Sequence, residues 1–455
     1  MSKQSRLFIL FIVIPLLLAL ACRRSAPDPT ATPTDEPQIV IEMPTPEPHF
    51  DGQPAVETET EVTEPAVKDL FFLDQSWFQV EDQIFAAFQF SNPHTETRFE
   101  GLDFRVLAYD SAGNKVGEDY LFTAQVFPGQ DFWLTSNLFL GDDNVQVDNV
   151  VISWDFLNQN SADGSSSPFS TRNVRYWDND GFPIATGIIS NSDPNTYLNV
   201  QVFLVGFDAA GQVVGSTTTS LDFLPGRDQI GFSSYLKTTG NVASIEAYPM
   251  FGFQKEGLQD AVLWDALSYR FYDGDFGFVM GGMVIENPTN QVLKDTMIHI
   301  TFYDSAGNVT TIGSDFIDIF LPESQIGLTP WVRGVPQDAI TTEYDIRILA
   351  GEPAEEYELT NNPFKIDGAD IIGEFSNYIS VRFTNNYSKG FSDVDVYVLL
   401  FNAEEEIIGG GKAWYSEPIP AGASSEIEVW VDYASFETIR TFTVWVVPNY
   451  WTTFE

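Results

Sequence analysis

The sequence predicts an all-β protein in which four β-sandwich domains follow one another along the chain. Three observations carry this prediction: a strand-and-turn segment recurs four times, its strand alternates between apolar and mixed positions, and no capped amphipathic helix follows residue 21. Each copy offers about six or seven short strands in roughly 90 residues, which is typical of a Greek-key sandwich.

The first 22 residues have the pattern of a lipoprotein signal. Lys3 and Arg6 precede an apolar run that ends in Ala-Leu-Ala before Cys22, which resembles the bacterial lipobox. We therefore expect residues 1–21 to be a cleaved signal peptide and Cys22, the only cysteine, to carry a diacylglycerol. The alternative is an ordinary signal peptide with a chance cysteine. A two-chain lipid would anchor the protein stably to a membrane, at the cell surface or in the periplasm.

The composition excludes some classes of partner. A formal charge of −43 cannot neutralise phosphates, so nucleic acid and bare anionic lipid are not expected to bind. Cationic or calcium-bridged partners are compatible with the charge, as is a surface that is merely kept soluble. With 44% hydrophobic residues and 38 phenylalanines, the bulk of the chain has ample material for several cores.

Residues 22–66 form a segment of different composition. Proline, threonine and glutamate dominate it, and ten acidic residues stand against Arg23 and Arg24. Proline removes backbone donors and like charges extend the chain, so we predict a disordered spacer that lifts the following domains away from the membrane.

Three turns mark each copy of the repeat and keep the same phase. The central marker ends an apolar strand and recurs at intervals of 98, 96 and 98 positions, at Asp110, Asp208, Asp304 and Asn402. An asparagine turn precedes it, at Asn92, Asn191, Asn287 and Asn385 or Asn386. A proline turn follows it, at Pro128, Pro225, Pro322 and Pro420. A period of this length predicts β-sandwich domains at residues 67–158, 171–252, 263–350 and 363–455.

The strand before each marker has one apolar face. In the first copy Val106, Phe104 and Leu102 alternate with Arg105 and Asp103, so we expect a half-buried strand whose mixed face meets solvent. The marker then caps its own backbone in a tight turn that glycine completes. Because a domain of about 90 residues can bury its own core, we expect independent beads rather than solenoid units.

The aromatic-Asp pair that ends an apolar strand, with a turn asparagine before it and a Pro-Gly turn after it, resembles the FxLYD family. These are small immunoglobulin-like β domains of prokaryotic secreted proteins and lipoproteins. The phenylalanine of the family name is replaced at Leu107, Val205, Thr301 and Leu399. The resemblance covers most of the chain in four copies and implies an immunoglobulin-like fold and an extracytoplasmic setting, but no activity.

Catalytic motifs are scarce. The whole chain has only three histidines, which argues against catalytic triads and histidine-rich zinc sites. The run Gly409–Gly411 lacks the following helix of a phosphate-binding loop. We therefore predict no catalytic residues, no metal ligands and no cofactor. Carboxylates at Asp142, Asp178 or Asp273 leave a structural calcium ion as an alternative to ordinary turns.

The last copy is rich in aromatic residues. Rings on a sandwich face can stack on sugars or seat a partner protein, although burial in the core is the other explanation. The candidate binding aromatics are Trp414, Tyr415, Trp430, Tyr433, Tyr450 and Trp451.

These observations predict a non-catalytic, lipid-anchored surface protein that presents tandem immunoglobulin-like domains for binding, adhesion or a structural stalk. An envelope protein or polysaccharide is the expected partner besides the membrane. A carbohydrate-binding array is the alternative, and a hydrolase with paired carboxylates comes third.

Overall fold

The computed structural model describes residues 69–449 apart from short gaps at 143, 163–164, 179–181, 255, 274–277, 333, 337–338, 356–358, 360, 373–376 and 435–437. Cys22, the signal and the spacer lie outside the described residues. Every described element is a β-strand, and the strands form eight antiparallel sheets. The all-β prediction is therefore confirmed. The sheets pack in four consecutive pairs, which we call sandwiches 1 to 4.

Sandwich 1 is formed by the first six strands. They are β1 (Phe71–Val80), β2 (Gln83–Ser91), β3 (Thr97–Tyr109), β4 (Lys115–Val126), β5 (Asp131–Phe139) and β6 (Asn149–Ser161). One sheet has the order β1-β2-β5 and the other β4-β3-β6. We call the first the opening sheet, because it contains the first two strands. The second is the turn sheet, since its hairpin β3-β4 carries the Asp110 turn.

Sandwich 2 repeats this plan with one short added strand. Its strands are β7 (Phe169–Trp177), β8 (Ile184–Asn191), β9 (Tyr197–Phe207), β10 (Val213–Leu224), β11 (Gln229–Tyr235), β12 (Lys237–Thr238) and β13 (Ser244–Phe251). The opening sheet has the order β7-β8-β11 and the turn sheet β12-β10-β9-β13.

Sandwich 3 has the widest turn sheet. Its strands are β14 (Leu263–Trp264), β15 (Ser268–Asp273), β16 (Val279–Glu286), β17 (Leu293–Tyr303), β18 (Val309–Phe320), β19 (Gln325–Leu328), β20 (Trp331–Val332), β21 (Glu343–Leu349) and β22 (Glu352–Pro353). The opening sheet is β15-β16-β19, and the turn sheet is β14-β21-β17-β18-β20 with β22 also paired to β17.

Sandwich 4 completes the series. Its strands are β23 (Phe364–Ile371), β24 (Tyr378–Asn385), β25 (Val394–Phe401), β26 (Ile407–Tyr415), β27 (Ser424–Trp430), β28 (Asp432–Tyr433) and β29 (Thr441–Pro448). The opening sheet is β23-β24-β27 and the turn sheet β28-β26-β25-β29.

All four sandwiches share one chain path. Two strands of the opening sheet are followed by the turn-sheet hairpin, a return to the opening sheet for one strand, and a last strand beside the hairpin. This crossing between sheets is the Greek-key arrangement. Strand bounds differ from the predicted domain limits by a few residues, since β6 ends at Ser161 and β7 begins at Phe169.

The core of each sandwich lies between its two sheets. The predicted apolar face of the marker strand is buried there: Leu102, Phe104 and Val106 have no exposed surface. In sandwich 1 the rings of Phe90 and Phe104 meet edge to face across the sheets at 5.2 Å. Removing this much apolar surface from water is the main stabilising contribution to such a fold.

The marker residues make the turns that the sequence predicts. Oδ1 of Asp110 accepts hydrogen bonds from the backbone nitrogens of Ala112 (2.9 Å) and Asn114 (2.8 Å). Gly113 adopts a φ of +80° there, whereas Glu405 takes the same place in the fourth copy with a φ of +63°. The fourth turn therefore holds a non-glycine residue in a backbone region that favours glycine.

The turn asparagines are buried connectors rather than surface turn residues. Asn385, and not Asn386, is the equivalent of Asn92. Its side-chain nitrogen donates to the carbonyls of Lys389 (2.9 Å) and Ile419 (3.1 Å), and its oxygen accepts from the Tyr387 nitrogen (2.9 Å). One amide thus joins the loop after β24 to the proline turn before β27, which explains why the two sequence markers keep a fixed phase.

Candidate functional site

The outward face of the turn sheet is covered in three of the four copies. The central outward residue of the marker strand is Leu107, Val205, Thr301 or Leu399. The last three are at most 1% exposed, and only Leu107 in sandwich 1 is half-buried. The expectation of half-buried strands and independent beads is therefore wrong for sandwiches 2, 3 and 4. The physical reason is that the opening sheet of each preceding sandwich packs on this face.

The first junction joins the opening sheet of sandwich 1 to the turn sheet of sandwich 2. The Thr135 hydroxyl in β5 donates to the Thr217 carbonyl in β10 at 2.8 Å. Beside it, the rings of Trp133 and Phe207 meet edge to face at 5.9 Å. This junction therefore combines polar and aromatic contacts, as a packed protein interior does.

The second junction depends on a glycine. Gly231 in β11 donates its backbone N–H to the Thr301 hydroxyl oxygen in β17 at 2.8 Å. A Cβ at position 231 would lie 2.3 Å from Cγ2 of Thr301, so only glycine fits without displacement. The Thr186 hydroxyl donates to the Val309 carbonyl at 2.8 Å, and Arg347 pairs with Asp228 at 2.7 Å.

The third junction uses a glycine at the equivalent place. A Cβ on Gly327 in β19 would lie 2.3 Å from the Trp445 ring and 2.6 Å from Leu399. Arg270 in β15 forms an ion pair with Glu406, next to the marker turn of sandwich 4. The same packing scheme therefore recurs three times along residues 67–455, which form one compact unit.

The two faces at the ends of this series carry charged side chains instead. In sandwich 1 the marker strand presents Asp103 and Arg105 to solvent. In sandwich 4 the opening sheet presents Arg382, Glu426 and Glu428. The residue equivalent to Glu426 is Trp133, Gly231 or Gly327 at the three junctions, as the strand pairing shows. Charged outer faces are expected of the terminal units in a stacked array.

Beside the third junction lies a cleft of about 700 Å³, between one edge of sandwich 3 and the turn sheet of sandwich 4. Its walls combine rings and charged groups from both sandwiches: Phe271, Phe278, Asp315, Lys412, Trp430 and Asp432. A concave site with apolar walls and a few polar groups is the usual form of a ligand site. We take this cleft as the candidate functional site.

Asp315 is the most unusual group of the cleft. It pairs in the sheet with Ile298, a fully buried core residue, so the carboxylate lies on the core side of β18. The same register position holds Leu121, Thr219 and Ala413 in the other copies. Burial raises the pKa of the Asp315 carboxyl to about 6, against the opposing effect of Lys412.

Lys412 already has partners at the junction. Its ammonium lies 3.2 Å from Oδ2 of Asp395. It also lies 4.9 Å from the centre of the Tyr397 ring and 5.7 Å from that of Phe316. Lys412 is therefore held by a carboxylate and two aromatic faces.

The structure separates the predicted binding aromatics. Tyr415 and Tyr433 are half-buried and pack against the core of sandwich 4. Trp414 and Trp430 are exposed, by 58% and 48%. Trp430 lines the cleft and donates its indole N–H to Oδ1 of Asp432 at 3.0 Å, whereas Trp414 does not line it. Tyr450 and Trp451 lie outside the described residues.

Two of the candidate calcium carboxylates accept backbone hydrogen bonds, Asp142 within its own turn and Asp273 from a segment distant in the chain. Oδ1 of Asp142 accepts from the Asn144 nitrogen, and Oδ2 of Asp273 accepts from the Thr341 nitrogen. Within the described ranges, no three metal-ligating side chains come together, and no helix of a length and apolarity suited to crossing a membrane occurs.

No protein-family model and no curated protein sequence matches this chain. The repeats themselves therefore supply the comparison that relatives would otherwise provide. Comparison of the four copies would have revealed Asp315 in the sequence, because its three equivalents at this register position are uncharged. Alternation along a single strand does not show this difference.

Proposed function

We propose that this chain is a non-catalytic, lipid-anchored extracytoplasmic protein that holds a stack of immunoglobulin-like domains outside the membrane. The packing of each opening sheet on the next turn sheet carries the proposal, because it fixes the spacing of successive sandwiches. A stack of this kind suits a structural or displaying role, in which position matters more than chemistry.

Features of the sequence support the proposed location outside the membrane. The lipobox-like Ala-Leu-Ala before Cys22 supports lipid attachment, and the acidic spacer supports separation from the anionic membrane surface. The motif resemblance to FxLYD domains supports the same extracytoplasmic setting.

Two measurements test this function. Metabolic labelling with an alkyne fatty acid should mark the full chain in its own cell, and a Cys22→Ser variant should lose the label. Absence of label from the unaltered chain would refute the anchor.

The stack is tested in the Cys22→Ser chain, which has no other cysteine. Spin labels are attached to two cysteines introduced by Ser153→Cys in sandwich 1 and Ser392→Cys in sandwich 4. The distance between the two labels should have one narrow distribution in the full chain. A broad distribution would show that the sandwiches move independently, and the structural role would fail.

The carbohydrate alternative retains one supporting observation, the exposed ring of Trp430 beside a carboxylate. Sugar-binding modules use such rings as platforms for stacking. The cleft carries two carboxylates as well, however, and this favours a different ligand.

A further inference from the structure

We infer that the cleft between sandwiches 3 and 4 binds a ligand through an organic ammonium group, held between the aromatic rings and the carboxylates of Asp315 and Asp432. This inference goes beyond the proposed display function and does not depend on the anchor. It concerns a site that the stack creates, since neither sandwich alone supplies all the walls.

The aromatic walls suit a cation. Phe278 and Trp430 are 55% and 48% exposed, although both lie in a concave part of the surface. The rings of Tyr378 and Trp430 form a T-shaped pair with their centroids 4.9 Å apart, and this contact holds the indole in place. Ring faces carry negative charge density and attract ammonium groups within about 6 Å.

The carboxylates supply the opposite charge. Among the described residues, the only hydrogen bond to the Asp315 carboxylate comes from the Phe316 backbone nitrogen, at 2.9 Å. A carboxylate on the core side of a strand, with so little hydrogen bonding, gains from a cationic partner. Asp432 lies on the Trp430 side, where the indole N–H orients it.

Lys412 only partly offsets the charge of Asp315, whose ionised form it favours. Its ammonium is closest to Asp395, at 3.2 Å, so that pair is internally balanced. Among the described lining residues of the cleft, the two carboxylates of Asp315 and Asp432 therefore outnumber the single ammonium of Lys412. Lys412 also shows that this junction accepts an ammonium between rings and a carboxylate, which is the arrangement we infer for the ligand.

The volume of the cleft and the negative charge of the chain agree with a small cationic ligand. A volume of about 700 Å³ accommodates an ammonium group with a short polar or apolar chain. The net charge of −43 raises the local concentration of cations and lowers that of anions.

The test uses choline and its neutral isostere 3,3-dimethyl-1-butanol, which differs in charge but hardly in shape. We titrate both into the full chain in non-ionic detergent at pH 8 and follow binding by calorimetry. We expect choline to bind at least about tenfold more tightly than the alcohol. Equal affinities, no binding of choline, or binding of cellobiose in its place would overturn the inference.

Variants locate the site. Asp315→Asn and Trp430→Ala should each weaken choline binding at least about fivefold. Asp103→Asn and Trp414→Ala are matched controls at residues that do not line the cleft, and they should leave the affinity unchanged. If the controls weaken binding as much as the cleft variants, the assignment is wrong. Asp432→Asn provides an independent cleft variant, and circular dichroism checks that each protein is folded.

Discussion

The hydroxyl oxygen of Thr301 lies 2.8 Å from the backbone nitrogen of Gly231 in the neighbouring sandwich. Thr301 occupies the place where the marker strand of sandwich 1 has the half-buried Leu107. One position of the repeat is thus partly exposed to solvent in the first copy and buried in a junction in the third. The junctions are consequently a property of pairs of copies rather than of any copy alone.

Gly231→Ala should destabilise the second junction. Its Cβ would meet Cγ2 of Thr301 at 2.3 Å, so we expect a loss of about 1–3 kcal/mol in thermal unfolding. Adding Thr301→Ala makes room for the methyl group, so the double variant should recover part of the loss. Additive losses would show that the contact does not matter.

Glu405→Gly should stabilise the protein by about 1 kcal/mol, because Glu405 holds a φ of +63° that glycine adopts without strain. The mirror control is Gly307→Glu, at the same turn position in sandwich 3 with a φ of +76°. It should destabilise by a similar amount. Chemical denaturation of both variants measures the two effects, and a change of the same sign in both would contradict the explanation.

Asn385→Ala should lower the free energy of unfolding by about 2–4 kcal/mol, since it leaves several buried backbone groups without a partner. The adjacent Asn386 is exposed and makes a suitable control. Asn386→Ala should change stability by less than about 0.5 kcal/mol. Similar losses at both positions would indicate a general effect of the loop.

Asp315 should make stability depend on pH. Its carboxyl has a pKa of about 6 in the fold and an ordinary value of 3.8, so its stabilising contribution is full below pH 4 and is lost as pH rises through 6. Lys412 from β26, Asp395 from β25 and Asp318 from β18 act on it.

Asp315→Asn should therefore be more stable than the unaltered chain by about 1–3 kcal/mol at pH 7.5. The two should converge near pH 4. Melting temperatures across this range give the measurement. A constant difference would show that ionisation of Asp315 is not the cause. A variant that is more stable yet weaker in binding choline would separate the role of this carboxylate from folding.

Removing the charges from both end faces should cause head-to-tail association. We would give sandwich 4 the opening-sheet residues of sandwich 1 (Arg382→Gln, Glu426→Trp, Glu428→Thr) and sandwich 1 the turn-sheet residues of sandwich 2 (Asp103→Gln, Arg105→Phe), so that the two faces match the first junction. Sedimentation velocity should detect oligomers that grow with concentration, because such an interface is not self-limiting. Chains altered at one end alone should remain monomeric. Monomers in every case would mean that the end faces differ from the junctions in more than charge.

The sequence predicts the inside of each sandwich well. Leu102, Phe104 and Val106 follow from strand alternation, and Asp110 follows from turn chemistry, because both depend on neighbours within a few residues. The burial of Val205, Thr301 and Leu399 could not be predicted in this way, since the covering sheet belongs to another copy. Gly231 and Gly327 were the available signal, as glycine within a strand marks a close approach.

Of all the features described, the cleft is the one that the sequence predicts least well. Trp430 was a candidate, but Asp315 lies 115 positions earlier in the chain, and alternation within one strand does not bring the two together. Tyr415 and Tyr433, chosen by the same aromatic count, pack against the core instead. Aromatic content identifies the copy that contains a site, whereas only the junction decides which rings face it.

The charged faces at the two ends also constrain how such a chain changes in length. A duplicated copy inserted between sandwiches 2 and 3 would meet, on each side, a face that a neighbouring sandwich already covers. A copy appended after sandwich 4 would have to bury the charged side chains of Arg382, Glu426 and Glu428. The two end faces are therefore less suited to receiving a further sandwich than the three turn-sheet faces that are already covered.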